Sequence, residues 1–493
     1  MTIDTPEWVQ DAVFYQVFPD RFARSARMVP VGPYEAWDAP PTNHGFKGGD
    51  LYGIAERLGE LHELGITALY LTPVFASASN HRYHAYDYFT VDPMLGGDEA
   101  LRELLDAAHA RGMRVILDGV FNHSGRGFWP FHHVVENGAQ SPYRDWFHLD
   151  PEVAAGHRGL EPYPDRGGRD ASRIGYAAWW GIPDLPKINV GHPAAREYLL
   201  SVAEHWLRFG IDGWRLDVPA EIDDEAFWQE FRRRCRAVRP DAYLVGEIWH
   251  EAPEWLRGDR FDALMNYPLT GAIIGFVGGD AIDFEVVGRH DSYRDLIKVR
   301  DGAAFGDRVA HLMSNYDPAI VRSQLNLIGS HDTPRALTVM GGDVRRLRLA
   351  TLLQATLPGA PSIYYGDEIA MAGDHDPDCR RAYPEGPEPG DRETRACVAA
   401  LLAARREHVA LRRGTVRAIG AAGRVAAFGR TAEGRHALVA VNAGDEAATV
   451  VIGRSPSAMR ILSFPGIPSG TIEQVNEHQL VRLPPLGAVV AVD

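Results

Sequence analysis

Cysteine is nearly absent from this chain. Three cysteines, Cys235, Cys379 and Cys397, occur among 493 residues, and they are widely separated. An odd number of scattered cysteines argues against a disulfide framework and against a zinc site built on cysteine thiolates. We therefore predict three reduced thiols and no cysteine-based metal site.

Long apolar runs and clusters of basic residues are also missing. No uninterrupted apolar stretch approaches the ~20 residues that a membrane-spanning helix requires. The 51 Lys and Arg residues are outnumbered by 66 Asp and Glu residues, which gives a net charge of −15 with no basic stripe. This balance argues against nucleic acid or an anionic membrane as a partner. It suits an uncharged ligand.

The N-terminal segment lacks the basic region of a secretory signal. It reads MTIDTPEWVQDAVFYQVF, with acidic residues where a signal peptide carries basic residues followed by an apolar run. We therefore predict a cytoplasmic protein.

Short apolar or β-branched runs are plentiful, and they alternate with longer segments of helical period. That alternation is typical of repeated βαβ units and a parallel sheet. Eight such runs predict an α/β fold, a (β/α)8 TIM barrel whose active site lies at the carboxyl ends of the strands. The predicted strands span residues 12–18, 66–72, 114–119, 211–217, 242–248, 261–267, 325–332 and 361–368.

The pattern changes at two places along the chain. Residues 122–189 are too many for an ordinary βα loop and are rich in Gly, Pro, His and aromatics, and loops of this length are usually functional. From residue 411 onward, short alternating strands replace the βα pattern. We predict a barrel in two parts (1–121 and 190–410), a subdomain (122–189) inserted after the third barrel strand, and a C-terminal all-β sandwich domain (411–493).

Polar side chains occur where several predicted barrel strands end. Residues at the carboxyl ends of such strands face the active site, whereas strand interiors only pack. Four strands each deliver a carboxylate to one rim, and crowded acids raise one another's pKa. A single Asp at a strand end is usually a cap or loop acceptor, but caps do not explain the whole set. The rim residues are Asp118, Asn122, His123, Arg215, Asp217, Glu247, His331 and Asp332.

Paired carboxylates are the groups that glycoside hydrolysis requires. One attacks the anomeric carbon, and the other, held protonated, donates to the leaving oxygen and then acts as base on water. The two carboxyl groups lie ~5–5.5 Å apart in a retaining site and ~6.5–9.5 Å apart in an inverting one, and neighbouring strands can supply the shorter separation. Arg215 lies two residues before Asp217, on the same side of the strand, and can hold it ionised as the nucleophile. Glu247 has no such neighbour in the sequence.

Four segments resemble the signature regions of the α-amylase family, glycoside hydrolase family 13. They are DGVFNH (118–123), GWRLDVPAE (213–221), GEIWH (246–250) and IGSHD (328–332). The resemblance extends over about residues 10–410 and implies a retaining hydrolase of α-glucosidic bonds. It implies that Asp217 is the nucleophile, that Glu247 is the general acid and base, and that Asp332 binds sugar hydroxyls and favours the oxocarbenium-like transition state.

The same resemblance implies which residues hold the sugar under attack. His123, Arg215 and His331 are expected to line that subsite, called −1, and Asp118 is a further candidate for binding the substrate. Tyr83, in NHRYHAYDY, matches the aromatic platform beneath the sugar, and an aromatic ring can stack on an apolar sugar face.

Within the family, three segments look like the cyclomaltodextrinase, neopullulanase and maltogenic amylase subgroup. They are residues 179–189, 246–268 and 364–381. By that resemblance Asp376 and Arg380 bind sugar beyond −1, whereas Trp249 and Glu221 lie on the acceptor side. For Trp249, and for Trp179 and Trp180, ordinary packing is the alternative.

The chain departs from that subgroup at three places. The subgroup usually carries a β domain before the barrel that builds a domain-swapped dimer, whereas here the first barrel strand begins almost at once, so a homodimer is left open. Residues 218–221 read Val-Pro-Ala-Glu in place of Val-Ala-Asn-Glu, which predicts a different acceptor preference. The usual calcium loop reads ARSARMVPVG (23–32), so most oxygen ligands are missing, although Gly48 and Asp50 remain. We assign no certain cofactor and no metal.

We predict hydrolysis of α-1,4 bonds, with tolerance for α-1,6 bonds, in small cyclic or linear maltooligosaccharides, including cyclic sugars of mixed linkage. A transglycosylase or isomerase on the same fold is one alternative, which product analysis at high sugar concentration distinguishes. A non-catalytic sugar-binding relative is another, which predicts a missing acid or an appended membrane helix.

Overall fold

The structure, a computed structural model, describes residues 3–164, 173–386, 390–453 and 458–493. Its strands are β1 (Phe14–Val17), β2 (Ala68–Leu71), β3 (Phe75–Ser77), β4 (Ala85–Val91), β5 (Arg114–Gly119), β6 (Gly213–Leu216), β7 (Tyr243–Gly246), β8 (Ala263–Leu264), β9 (Leu325–Asn326), β10 (Ala360–Tyr364), β11 (Thr415–Ala422), β12 (Val425–Ala432), β13 (Arg435–Asn442), β14 (Ala448–Gly453), β15 (Arg460–Leu462), β16 (Thr471–Val475), β17 (His478–Leu483) and β18 (Ala488–Val492). Its α-helices are α1 (Glu7–Asp11), α2 (Pro19–Phe22), α3 (Leu51–Glu56), α4 (Leu58–Leu64), α5 (Gly97–His109), α6 (Trp129–Asn137), α7 (Pro151–Ala154), α8 (Pro193–Phe209), α9 (Glu225–Val238), α10 (Tyr267–Gly278), α11 (Phe284–Gly288), α12 (Asp291–Leu296), α13 (Gly302–Ser314), α14 (Pro318–Ser323), α15 (Ala336–Val339), α16 (Val344–Thr356), α17 (Arg392–Glu407) and α18 (Val409–Arg413).

Eight of the described strands run parallel in one sheet, in the order β8-β7-β6-β5-β2-β1-β10-β9. Phe14 of β1 pairs with Ala68 on one side and with Ser362 on the other. A parallel bridge between Met265, just after β8, and Leu325 of β9 joins the two ends of the sheet. The predicted (β/α)8 barrel is therefore confirmed.

The barrel strands are mostly apolar because both faces of the sheet are buried. Phe14, Tyr70 and Ile116 pack with one another inside the barrel. Their chain neighbours Tyr15 and Leu69 point the other way and belong to the larger core beneath the helices. This period of two explains why each strand reads as a short continuous apolar run.

Helix α8 shows how the local sequence sets helix bounds. Pro193 occupies the first turn, where a missing N–H costs nothing, and Gly210 ends the helix with a φ of 124°. Helix α5 ends at His109, three residues before Gly112. No helix in the described part of the chain is long and apolar enough to cross a membrane.

The C-terminal region contains two antiparallel sheets, in the orders β11-β12-β13-β18-β15 and β14-β17-β16. Leu438, Val450 and Val481 are buried together in the apolar cluster that joins them. The Phe305 ring of α13 packs edge-on against Phe428 of β12, with centroids 5.6 Å apart, which ties this region to the barrel. The all-β prediction for the C-terminus is confirmed.

The segment between β5 and α8 reaches over the carboxyl end of the barrel. Antiparallel bridges join His123 to Lys187 and Phe147 to Ile188, so the two ends of the segment lie together. Trp180, near its far end, borders the same cavity as the barrel acids. The division of the chain into four predicted parts stays a prediction.

Candidate active site

A cavity of about 520 Å³ opens at the carboxyl end of the barrel. Its volume lies in the range of small-molecule sites. Most of the residues that the sequence singled out line it, namely Tyr83, His123, Asp217, Glu221, Glu247, Trp249, Asp332, Asp376 and Arg380. Asp118, Arg215 and His331 are buried behind the cavity wall and contact the lining residues. Their assignment to the −1 subsite stays a prediction.

One arginine joins three of the acids. Arg215 is fully buried in β6, and its Nη1 donates to both oxygens of Asp118, at 2.9 and 3.0 Å. The same nitrogen donates to Oδ1 of Asp217 at 3.0 Å, and Nη2 lies 2.9 Å from Oε2 of Glu247. Glu247 has no cationic neighbour along the sequence, but it has one across the sheet, since β6 and β7 are paired.

Burial raises the pKa of the three acids, and Arg215 opposes the rise at each. The pKa of Asp118 rises to about 6, and those of Asp217 and Glu247 also rise above their usual values. Asp332 adds further negative charge beside Asp217 and Glu247. Because one cation faces several crowded acids, the site favours keeping a proton, which general acid catalysis requires.

Two further donors fix the carboxyl group of Glu247. The N–H of Val218 donates to Oε2 at 3.1 Å, and the indole Nε1 of Trp249 donates to Oε1 at 3.0 Å. Val218 has φ 35° and ψ 50°, a left-handed conformation that a β-branched residue rarely adopts. This strained turn, followed by Pro219, directs the amide at the acid.

A neutral histidine connects Tyr83 and Asp332. Gln16 Nε2 lies 2.7 Å from Nδ1 of His331, and because an amide nitrogen donates, the ring proton lies on Nε2. That Nε2 lies 2.5 Å from the Tyr83 hydroxyl and 3.2 Å from Oδ2 of Asp332. Burial, together with two nearby guanidinium groups, lowers the pKa of His331 well below its usual value. The ring is therefore a fixed hydrogen-bond donor.

A second arginine holds Asp332 from the opposite end. Arg380 Nη2 donates to Oδ1 of Asp332 at 3.2 Å, and its Nε donates to the backbone oxygen of His331 at 2.8 Å. Its Nη1 lies 2.9 Å from Oδ1 of Asp376, whose pKa is raised by burial. Of the two predicted outer-subsite residues, Arg380 thus contacts Asp332 directly, whereas Asp376 is linked to it through Arg380.

Aromatic side chains form another wall of the cavity. His123 stacks on Trp179 with centroids 5.3 Å apart, and Trp179 stacks on Trp180 at 4.6 Å. Trp180 adopts a φ of 51° and exposes 72% of its surface, so core packing does not account for it. A flat ring at a cavity mouth can stack on a sugar. Lys187 Nζ, 3.2 Å from Oε2 of Glu221, ties this wall to the loop after β6.

Three residues near the site are not among those predicted from the sequence. Gln16 contacts His331, and the hydroxyl of Tyr70 donates to Oδ2 of Asp118 at 2.6 Å. Both lie within mostly apolar barrel strands. An isolated polar group that points into the barrel was the feature of the sequence that could have indicated them. His290 borders the cavity just before α12, and nothing in its local sequence distinguishes it.

The loop after β1 does not fit a calcium ion. The two oxygens of Asp50 accept backbone N–H groups, from Gly53 at 2.8 Å and from Ser25 at 2.7 Å. Lys47 is fully buried, and its Nζ donates to two backbone carbonyls at 2.5 and 2.7 Å, so a positive charge already occupies the loop. Among the described residues, no group of three or more His, Cys, Asp or Glu side chains could hold a metal ion.

Comparison with known proteins decides the family. The sequence model of the alpha amylase catalytic domain matches residues 16–402. The chain belongs to the alpha-amylase family. A cyclomaltodextrinase of Geobacillus thermopakistaniensis (strain MAS1) is 43% identical over 460 residues, which are 92% of this chain and 71% of that protein. The resemblance of the four motifs is thereby confirmed, and the chain is a glycoside hydrolase of this family.

Solved structures of the family match the whole fold. The debranching enzyme of Nostoc punctiforme is 42% identical, with a TM-score of 0.88 and full coverage of both chains. A cyclic alpha-maltosyl-(1→6)-maltose hydrolase of Arthrobacter globiformis is 35% identical, with a TM-score of 0.85 and full coverage of both chains. Both resemble this chain from the barrel through the C-terminal sheets.

Proposed function

We propose that this glycoside hydrolase retains configuration at an α-glucosidic bond, with Asp217 as nucleophile and Glu247 as general acid and base. The observation that carries the proposal is the guanidinium of Arg215, which contacts both carboxyl groups beside one cavity. Because one guanidinium contacts both carboxyl groups, it favours a short distance between them. Direct attack requires a distance of ~5–5.5 Å between the two carboxyl groups, whereas an inverting site, which leaves room for a water, requires ~6.5–9.5 Å.

The reaction proceeds in two steps. An oxygen of Asp217 bonds to the anomeric carbon while the bond from that carbon to the glycosidic oxygen breaks, and the departing oxygen takes the proton of Glu247. Glu247, now ionised, then accepts a proton from water as the water oxygen bonds to the anomeric carbon and the bond to Asp217 breaks. Both residues return to their starting states.

The surroundings of the two acids support this division of roles. Asp217 Oδ1 accepts from Arg215, whereas Oδ2 accepts no hydrogen bond from the described residues and is available for attack. Glu247 contacts Val218 and Trp249, which border the cavity on the side that the family resemblance gives to the leaving group. A general acid must lie on that side.

We assign the remaining polar residues to the sugar under attack. Asp332 keeps 26% of its side chain exposed, so it can accept sugar hydroxyls while His331 holds its other side. Nε2 of His123 is buried without a hydrogen-bond partner among the described residues, and a sugar hydroxyl would satisfy it. Tyr83 provides the aromatic platform, and Asp376 with Arg380 contacts the next sugar unit.

We further propose small cyclic or linear maltooligosaccharides as substrates, with cleavage of α-1,4 bonds and tolerance for α-1,6 bonds. The activities named for the relatives, on cyclomaltodextrin, on branches and on a cyclic maltosyl-(1→6)-maltose, support this range. The three free, buried cysteine thiols fit a reducing compartment, so we place the reaction inside the cell.

The acids are tested with Asp217→Asn and Glu247→Gln. We expect each substitution to lower turnover by roughly 10²–10⁴-fold or more without unfolding the protein, because each removes one step of the reaction. NMR of the first product released by the natural enzyme should show the α-anomer. Unchanged turnover in both variants, or release of the β-anomer, would contradict the assignment.

The substrate range is tested with β-cyclodextrin, pullulan, maltotriose and a cyclic sugar that mixes α-1,4 and α-1,6 bonds. We expect glucose and maltose to accumulate. A transglycosylase is the second candidate, since Pro219 and Ala220 alter the acceptor loop. Larger or isomeric sugars accumulating at high substrate concentration, without free glucose or maltose, would favour that candidate over a hydrolase.

A further inference from the structure

The Trp249 indole connects the proposed general acid to two stacked rings. Its Nε1 donates to Oε1 of Glu247 at 3.0 Å. Its ring stacks on Tyr267, with centroids 3.9 Å and planes 8° apart, and on His290, with centroids 5.2 Å and planes 13° apart. Because stacking fixes the plane of the indole, these two rings set the direction of the N–H that reaches Glu247.

The two stacking partners differ in where they come from. Tyr267 belongs to the barrel core: it is fully buried, begins α10, and its hydroxyl lies 3.2 Å from Oγ of Ser330. His290 is half-buried and comes from the irregular segment that carries α11 and α12, so it reaches the cavity from outside the barrel. Its position is therefore set by that segment and not by the barrel.

The imidazole of His290 is itself fixed. Its Nδ1 accepts the N–H of Tyr293 at 3.3 Å, which caps α12. His375 stacks in parallel with it at 6.4 Å and is joined to the same segment, since His375 Nε2 lies 2.7 Å from the backbone oxygen of Val286. Burial lowers the pKa of His290, and His375 lowers it further, so the ring is neutral. A neutral, oriented ring suits a role in holding its neighbour.

We propose that His290 is a positioning residue, which holds the Trp249 indole so that its N–H keeps the carboxyl group of Glu247 aligned with the leaving oxygen. The inference rests on the proposed function, in which Glu247 is the general acid. A misaligned acid slows protonation of the leaving group more than it slows attack by the nucleophile. The loss caused by removing His290 therefore depends on how strongly the leaving group needs a proton.

The experiment compares phenyl and 4-nitrophenyl α-maltosides. Both place one aromatic ring in the acceptor position, but nitrophenolate leaves with less need for a proton. We expect His290→Ala to lower kcat/KM, which reports the first step, by roughly ten- to hundredfold on the phenyl maltoside, as small misplacements in active sites do, and to lower it several-fold less on the nitrophenyl maltoside. His290→Phe keeps a flat ring and should restore most of the loss. His311→Ala, an exposed histidine on α13, is the matched control.

A double-mutant cycle tests whether His290 acts through Trp249. Trp249→Phe should show the same dependence on the leaving group, and adding His290→Ala to it should cost no more than about twofold further, because coupled residues are not additive. Equal losses on both maltosides in His290→Ala, additive losses in the double variant, or no recovery in His290→Phe would each overturn the proposal.

Glu247→Gln separates this inference from the proposed function. If the loss of activity in Glu247→Gln depends on the leaving group and the loss in His290→Ala does not, only the proposed role of His290 is overturned. If the loss in Glu247→Gln is itself independent of the leaving group, the proposed role of the acid fails and the inference about His290 fails with it.

Discussion

The loop after β1 allows a test of which group supplies its positive charge, a bound metal ion or a lysine side chain. In this loop the ammonium of Lys47 is fully buried and donates to the backbone oxygens of Ala36, at 2.5 Å, and Ala39, at 2.7 Å, with Glu35 Oε2 at 3.4 Å. Lys47→Met keeps the length and packing of the side chain but removes the charge. The variant removes the ammonium donor from these acceptors, while the backbone oxygen of Ala36 still accepts the N–H of Ala39 at 3.1 Å.

The expected cost follows from these contacts. A hydrogen bond from a charged donor contributes about 1.5–3 kcal/mol, and the loss of two is worth about 3–6 kcal/mol if the acceptors stay dry. Ala36 is exposed, so water can hydrate its oxygen in the variant, and we lower the expected loss to about 2–4 kcal/mol. An unfolding entropy of about 2.1 cal/mol/K per residue gives about 1 kcal/mol/K for 493 residues, so Tm falls by about 2–4 °C.

The assay is thermal unfolding at one scan rate, with and without a chelator. We expect a chelator to leave the Tm of the natural enzyme unchanged, because the loop already contains its cation, and Lys47→Met to lower it by the stated amount. Lys298→Met, at an exposed lysine, is the control and should leave Tm unchanged. A fall in Tm of the natural enzyme on chelation, reversed by calcium, would refute the reasoning.

Three shorter predictions follow from the site. Gln16→Leu removes the donor to Nδ1 of His331 and should lower kcat/KM by about tenfold, because one buried hydrogen bond is lost. Tm should change little, and steady-state kinetics and a melting curve measure the two effects. Trp249→Phe removes a donor that stabilises ionised Glu247, so the pKa of Glu247 should rise and the alkaline limb of the kcat/KM profile should move to higher pH, whereas a downward move would contradict the contact. All three cysteine thiols are buried, and burial raises their pKa. A thiol reagent at pH 8 should therefore modify the unfolded chain at three positions and the native chain at none. Rapid labelling of the native chain would contradict the burial of these thiols.

The barrel could be predicted from the sequence because its strands are buried on both faces. Such strands read as continuous apolar runs, and the helices between them end at residues such as Gly210. The ends of the strands could be predicted less accurately. The sequence predicts one strand over residues 325–332, but β9 pairs only at Leu325 and Asn326. Leu327 and Ile328 remain buried while the chain leaves the ladder to present the site, so burial continues after pairing stops.

The acids of the site could be predicted because position along a barrel strand fixes which end a side chain faces. Contacts between strands could not be predicted, because they depend on the register of the sheet, which pairs Arg215 with Val245 two residues before Glu247. His290 lies in an irregular segment with no period to place it. What the sequence missed is therefore the set of residues that orient the acids.

The shared guanidinium bears on why the two adjacent acids would take the different roles proposed for them. A cation that touches only Asp217 would keep that acid ionised and leave Glu247 protonated, but Arg215 touches both, so its charge favours ionisation of both. Its Nη1 also serves Asp118, which competes with Asp217 for the same donor. The difference in role must then come from position: Glu247 lies against the acceptor side through Trp249, whereas Asp217 presents an oxygen without a hydrogen bond from the described residues. Geometry, more than a fixed difference in acidity, assigns the proton to Glu247 when a glycosidic oxygen arrives beside it.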